Sequence, residues 1–439
     1  MSVSPELQPP PGVVELREDI PLKPSGYLEA PRLCGGGPRV ILGAFAILTA
    51  AITIALLTQI YYGDYEASSY IDLLFLIPRV SRIQQGGAPR VGVIVSGCVL
   101  ASGHCLAPRG SGSLVHWEYR QSRTQLPTVA EWGGARVGAA GNTPRLVAAL
   151  AALHALLGVL PWSQVLQPAI DIAREGYTVS TSLAADAATR GLPGFTASTI
   201  RTEPALADYL QSLQNYTSAE LCAKWSCESA VRVRAGASAE AGPWRVWTGG
   251  AGGNVAAAAL NASLAGDQHL LTPASAYQSA VESLKSQATA AGAQWPRGVA
   301  SGLAVVDPRD TYVALVTGLS MPFGSELSSS VGGAWQRDEP TGPLDLAPAI
   351  ITDEHICGTR YVVGGESGAA LAQAAAGALT GAGGAVAVEA ARVRVVAGGA
   401  VEAEGTNGTA LAALNFVQQT GDALLSHADS RGEGLASRF

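Results

Sequence analysis

An α+β domain held behind a single membrane-spanning helix is the architecture this sequence predicts. Three observations carry the expectation. An uncharged apolar run lies near the N-terminus, apolar residues recur at helical spacing between 146 and 174, and two β-like runs flank a turn between 303 and 316.

The first is the stretch VILGAFAILTAAITIALL from Val40 to Leu57, followed by Gln59, Ile60, Tyr61 and Tyr62. At 1.5 Å per residue it covers a hydrocarbon core of about 30 Å, and the tyrosines suit the interface. Arg17, Lys23, Arg32 and Arg39 precede it, whereas residues 58–77 hold no Lys or Arg but carry Asp64, Glu66 and Asp72. The positive-inside bias therefore predicts a single-pass type II arrangement. Residues 1–39 form a disordered cytoplasmic tail, residues 40–60 span the lipid, and residues 61–439 form an extracellular or lumenal ectodomain. Three sequons fall on the predicted outer side, at Asn215, Asn261 and Asn407, so glycosylation is expected there.

The second and third observations organise the ectodomain. Asn142, Thr143 and Pro144 signal a helix start before LVAALAALHALL, Leu146 to Leu157. VLQPAIDIAR, from Val165 to Arg174, reads as another helix, bent at Pro168 and ended by Gly176. Leu303–Val306 and Tyr312–Val316 read as a hairpin turning through Asp307–Asp310. Val362 and Val363 lead through Gly364 and Gly365 into an Ala-rich helix, while Ala387 to Val396 carries both helix and strand signals. Mixed hairpins and helices point to a layered α+β domain.

Composition removes several function classes. With 48% hydrophobic and 14% charged residues the chain can bury a large core. Its net charge of -7 is spread out, and no basic cluster beyond the N-terminal region suggests nucleic acid. The six histidines stand singly and the cysteines lack metal spacing, so neither a metal nor another cofactor is expected. Cys222 and Cys227 could close a small loop in an oxidising compartment. Gly249-Gly250-Ala251-Gly252-Gly253 lacks the Lys and Ser/Thr of a phosphate-binding loop.

From Leu160 the sequence resembles the γ-glutamyltransferases, or glutathione hydrolases. LPWSQVLQPAIDIAREGYTVS is similar to that family's L-P-W…P-A-I-x-x-A-x-x-G-[FY]-x-V segment. Pro322-Phe-Gly-Ser325, then VVGGESG ending at Gly368, then Ala428-Asp-Ser-Arg431-Gly432 follow in the family's order. Ser111 to Val115 is a fainter match to its G-G-G-x-F loop. The short, N-anchored layout resembles the family's type 6 branch. The fold implied is an N-terminal-nucleophile αββα sandwich, made as a zymogen that cuts itself, here near residue 300. The freed Thr then attacks a γ-glutamyl amide, its α-amine serving as base and backbone N–H groups holding the oxyanion. The substrates so implied are glutathione and γ-glutamyl peptides.

The same resemblance implies a degraded site. The family's G-T-[TS]-H-[LV]-S-V matches Gly298 to Val306 with Ala300 at the nucleophile, where no hydroxyl exists. A one-residue slip would make Ser301 the nucleophile instead. Thr317-Gly-Leu-Ser320 matches S-T-I-N, so Ser320 stands for an Asn. Of the acids that hold the substrate amine, Glu339 remains. Leu344-Asp-Leu346 replaces the S-S-M that grips the α-carboxylate, and Pro127 falls where the family has an Arg. Ser367 and Gly368 occupy the oxyanion positions, with Glu366 beside them.

Overall fold

The computed structural model describes residues 93–96, 111–118, 126–132, 145–227, 231–236, 238–266, 270–291, 299–307, 309–319, 323, 326–328, 335–337, 345–353, 358–403, 412–421, 423–432 and 434–438. The expected tail and span, and the helix-start residues Asn142–Pro144, lie outside the described residues. Among the described residues no helix is long and apolar enough to cross a membrane.

Two antiparallel sheets pack face to face. Sheet I contains seven strands in the order β19-β1-β9-β10-β2-β3-β6. In chain order they are β1 (Val93–Ser96), β2 (Ser111–Glu118), β3 (Thr128–Trp132), β6 (Val231–Ala235), β9 (Val299–Val306), β10 (Thr311–Leu319) and β19 (Leu435–Arg438). Sheet II has six strands in the order β18-β17-β14-β13-β8-β7. These are β7 (Ser238–Ala241), β8 (Trp244–Thr248), β13 (Asp345–Asp353), β14 (Thr359–Ser367), β17 (Leu414–Thr420) and β18 (Ala423–Ala428). Among the described residues there are also three two-stranded ribbons: β4 (Tyr177–Thr178) with β5 (Ile200–Arg201), β11 (Glu326–Ser328) with β12 (Trp335–Arg337), and β15 (Val393–Val395) with β16 (Val401–Ala403).

Each sheet buries both faces, so its strands read as apolar runs rather than alternations. Val115, Trp117, Tyr312, Ala314, Ile350, Val362 and Val417 meet between the sheets. The outer face of sheet I is covered by α1 (Arg145–Leu157), α2 (Trp162–Glu175), α4 (Pro204–Leu213) and α5 (Ser218–Trp225), while α3 (Thr181–Thr189) packs on a satellite cluster with Phe323. The outer face of sheet II is covered by α6 (Gly250–Leu264), α7 (Pro273–Ala291), α8 (Gly368–Gly377) and α9 (Gly384–Glu389). Helix, sheet, sheet, helix is the αββα order that the resemblance implied.

The expected elements appear where the residues placed them. Helix α2 carries Pro168 inside and ends at Gly176, whose φ of 106° favours glycine. The β9–β10 hairpin turns through Asp307, whose Oδ1 accepts the N–H groups of Arg309 and Thr311, each at 2.8 Å. The abundant alanines also find a structural use. Ala276, Ala280, Leu284 and Ala288 of α7 recur every fourth residue and are all fully buried, letting helices of the second layer approach closely. The doubtful stretch from Ala387 divides into the end of α9 and strand β15. Cys222 and Cys227 form a disulfide at the end of α5.

Candidate functional site

Strand β9 pairs with β10 without interruption from Val299↔Leu319 to Val306↔Tyr312, so its side chains alternate strictly between two faces. Leu303 and Val305 enter the core beneath the helices, and Ala304 and Val306 enter the core between the sheets. The same alternation turns Ala300 and Gly302 toward sheet II and Ser301 toward the helices. Gly302 fixes this reading: a Cβ there would overlap the carbonyl of Gly364 on β14, so the sheets touch backbone to backbone. Ser301 is 2% exposed and lies opposite Thr317, also buried.

The two sheets bring the head of β9 and the end of β14 to one end of the sandwich. The Tyr312 hydroxyl donates to Gln419 Oε1 at 2.6 Å, setting the far end of β9–β10 against the far end of β17. With Gly302 against Gly364, the head of β9 must then lie by the end of β14, at Glu366, Ser367 and Gly368. The segment expected to supply an oxyanion loop is instead a strand running directly into a helix. Ser367 is the extended N-cap of α8, and a Cβ at Gly368 would overlap the Gly252 carbonyl at the start of α6. Glycines at 364 and 365 let β14 stay regular where the sheets and helices crowd it. Glu366 Oε2 accepts the Ala413 N–H at 2.8 Å, which keeps a carboxylate at this mouth.

The other positions named from the resemblance are placed as follows. Pro127 is buried at the start of β3, its carbonyl taking the Gly236 N–H at 2.6 Å, so no cation stands there. Phe323 of the P-F-G-S match is buried against Phe195, ring centroids 5.2 Å apart, and has a φ of 62°. Ser320 and Glu339 lie outside the described residues, as does Asn407. Asn215 is exposed in the α4–α5 turn, where Thr217 caps α5. Asn261 is exposed on α6, but its sequon serine, Ser263, is buried and donates to Leu260 O. Among the described residues no cluster of three His, Cys, Asp or Glu could hold a metal ion.

Sequence reasoning singled out Ala428 to Gly432 without giving it a role; the structure gives it one. Asp429 is fully buried and pairs with Arg392 at 2.9 Å and Arg431 at 3.0 Å, while its Oδ2 accepts the Leu414 N–H at 3.1 Å. Arg431 also donates to the carbonyls of Val388, Glu389 and Ala390, closing the end of α9. At Glu389, burial opposes the charge, but hydrogen bonds from the Ser430 hydroxyl and N–H and from His427 outweigh it and hold the carboxyl below its ordinary range. This is a clamp between β17, β18 and α9. The partner Arg392 has no local signal, because only the fold brings it across from residue 429.

The architecture defines a class first: a four-layer αββα sandwich. It is shared with cephalosporin acylase from Bacillus halodurans, with a TM-score of 0.61 over 81% of this chain and 98% of that one, at 15% identity. That likeness is one of fold alone. A family likeness comes from sequence. Residues 116–222 match the model of the gamma-glutamyltranspeptidase family. Glutathione hydrolase 7 from Bos taurus is 27% identical over 168 residues, and its Homo sapiens counterpart 26% over 168. Each alignment takes in 34% of this chain and 25% of the relative, so the chain matches about a quarter of their length. Part of this chain is thus similar to the γ-glutamyltranspeptidase family.

Proposed function

We propose that this chain is a catalytically silent member of that family, a membrane-anchored binding or partner-regulating module rather than a working hydrolase. One observation carries the reading: the residue at the head of β9 that faces sheet II, and with it Ser367 and Gly368, is Ala300. Without a hydroxyl there, no N-to-O acyl shift can cut the chain and no N-terminal amine is freed. Binding is impaired too, because the alignment leaves Pro127 and Leu344-Asp-Leu346 where a cation and two hydroxyls should grip a carboxylate. Each charge-assisted bond so lost is worth about 1.5–3 kcal/mol. Glutathione and γ-glutamyl peptides are the ligand class that the family likeness suggests. Ser320 and Glu339 are the residues proposed to touch them.

The second reading is an active glutathione hydrolase with Ser301 as nucleophile after self-cleavage, since Ser301 carries a hydroxyl one residue beyond. Its burial on the helix side of sheet I argues against it. Two measurements separate the readings. A denaturing gel of the mature protein should give one intact chain, where two fragments split near residue 300 would mean processing. Release of product from a γ-glutamyl anilide should be absent in the wild type. Release that Ser301→Ala abolishes would establish the hydrolase instead.

Anchorage through residues 40–60 belongs to the same proposal, supported by the uncharged run and by the cations that precede it. Resistance to alkaline extraction, lost when residues 40–60 are deleted, is the expected result. A sugar at Asn215, Asn261 or Asn407, read by mass after glycosidase treatment, would set the ectodomain on the lumenal side.

A further inference from the structure

At the far edge of the same sandwich mouth, α6 starts in a turn free of side chains. Gly249 is its extended N-cap and Gly250 has a φ of 73°; a Cβ on Gly249 would overlap the Ser113 hydroxyl, and one on Gly250 would crowd the Leu346 carbonyl. The backbone N–H of Gly250 points at a carboxylate supplied by the chain itself. Glu131 Oε1 accepts it at 2.8 Å and also accepts Arg234 Nη2 at 3.1 Å. Ser113 stands directly across from Glu131 on the neighbouring strand. Its side chain is 1% exposed, its Oγ has no hydrogen-bond partner, and it abuts the Gly249 turn.

Three donors therefore surround one carboxylate: a helix N-terminal N–H, a guanidinium and a buried hydroxyl. Glu131 serves the first two through a single oxygen and leaves the hydroxyl unsatisfied. A helix N-terminus favours an anion through its oriented N–H groups, and an orphaned buried hydroxyl is a standing cost that a better-placed oxygen would remove. Glu131 and Arg234 are 25% and 34% exposed, so the pair can be reached from solvent.

We propose that the α6 N-terminus, with Ser113 and Arg234, is a binding site for a small carboxylate, and that Glu131 occupies it in cis as a built-in competitor. The ligand carboxylate takes one oxygen to Gly250 N–H and Arg234 and the other to the Ser113 hydroxyl, while Glu131 swings out to solvent. The site is separate from the head of β9. Three strand spacings, roughly 14 Å, divide Ala300 from Glu131 across sheet I, too far for one γ-glutamyl group to span. The inference stands whether or not the chain is a hydrolase.

The test titrates the full chain with sodium acetate against sodium chloride at constant ionic strength, reading the unfolding midpoint. Glu131→Ala should show a saturable rise with acetate and none with chloride, at a midpoint concentration at least tenfold below that of wild type. Glu131→Gln, which keeps the shape and an acceptor but no charge, should fall between them and guards against a variant that fails to fold. In the Glu131→Ala background, Arg234→Gln should weaken acetate binding about tenfold or more, and Ser113→Ala severalfold. No acetate-specific rise in either Glu131 variant, or a rise untouched by Arg234→Gln and Ser113→Ala, overturns the proposal.

Discussion

The segment from 116 to 222 and the segment from 299 to 432 have diverged in different ways. The first builds the start of sheet I and its helical cover, and it is the part the family model matches. The second builds the β9–β10 hairpin, the β14–α8 junction and the C-terminal clamp. It keeps short family-like motifs, and the residue at the head of β9 that faces sheet II is Ala300. The helical cover survives as sequence because many apolar contacts must fit together there: Leu153, Leu166, Ile170 and Leu221 are all essentially inaccessible. In the second segment two kinds of residue separate. Asp429 and Arg431 satisfy buried groups, whereas Ala300 at the head of β9 carries no hydroxyl.

The largest expected effect breaks the clamp. Asp429→Ala removes the fully buried carboxylate shared by Arg392, 1% exposed, and Arg431, and breaking a buried ion pair costs about 3–5 kcal/mol. Chemical denaturation should show that loss. A change below about 1 kcal/mol would mean the motif is not what holds the second segment together. Next comes a pH effect in the first segment. Burial pushes His116 down from 6.5 to about 4, despite Glu118 at 3.8 Å. The Glu118 side chain is partly solvated, so desolvation wins. The folded pKa lies below the unfolded one, so the stabilising contribution is complete above pH 6.5. It is lost as pH falls toward 4, by about 3 kcal/mol in all. Unfolding free energy measured from pH 7 to 4 should decline accordingly, and His116→Leu should flatten that part of the decline.

Much of the fold was legible because local signals and tertiary demands agree. Pro168 and Gly176 bound α2 as they should, and Asp307 turns the hairpin with its own side chain. Less of the site was legible. Motif order pointed to Ala300, Ser301, Ser367 and Gly368, but which face each occupies depends on the β9 register, and a one-residue slip exchanges the faces. Arg392 with Asp429, and Glu131 with Gly250, are pairs separated widely in sequence. Arg392, Asp429 and Glu131 each read alone as an ordinary surface charge, and only the fold brings the partners together. Gly302 was similarly silent, since a glycine in a strand can mark a bulge as easily as a close approach.

That glycine gives the third prediction. Gly302→Ala places a methyl against the Gly364 carbonyl, which is backbone and cannot step aside. Overpacking of this kind costs about 1–3 kcal/mol, and the strain should be read as a lowered denaturation midpoint with the sheets still formed. Insensitivity would mean the sheets stand farther apart at the mouth than the backbone contact implies.

The smallest effect is the most discriminating. If Ser301 is a packed residue of the first helical cover's core, Ser301→Ala should change stability by about 1 kcal/mol or less and leave the chain's length on a denaturing gel unaltered. A buried hydroxyl on the helix side faces away from sheet II, so nothing at Ser367 or Gly368 should respond. A nucleophile behaves otherwise: its removal changes stability little but converts a processed heterodimer into a single uncut chain. The two roles are therefore separated by length rather than by stability. A change in fragment pattern would move Ser301 to the face that regular pairing of β9 with β10 assigns to Ala300.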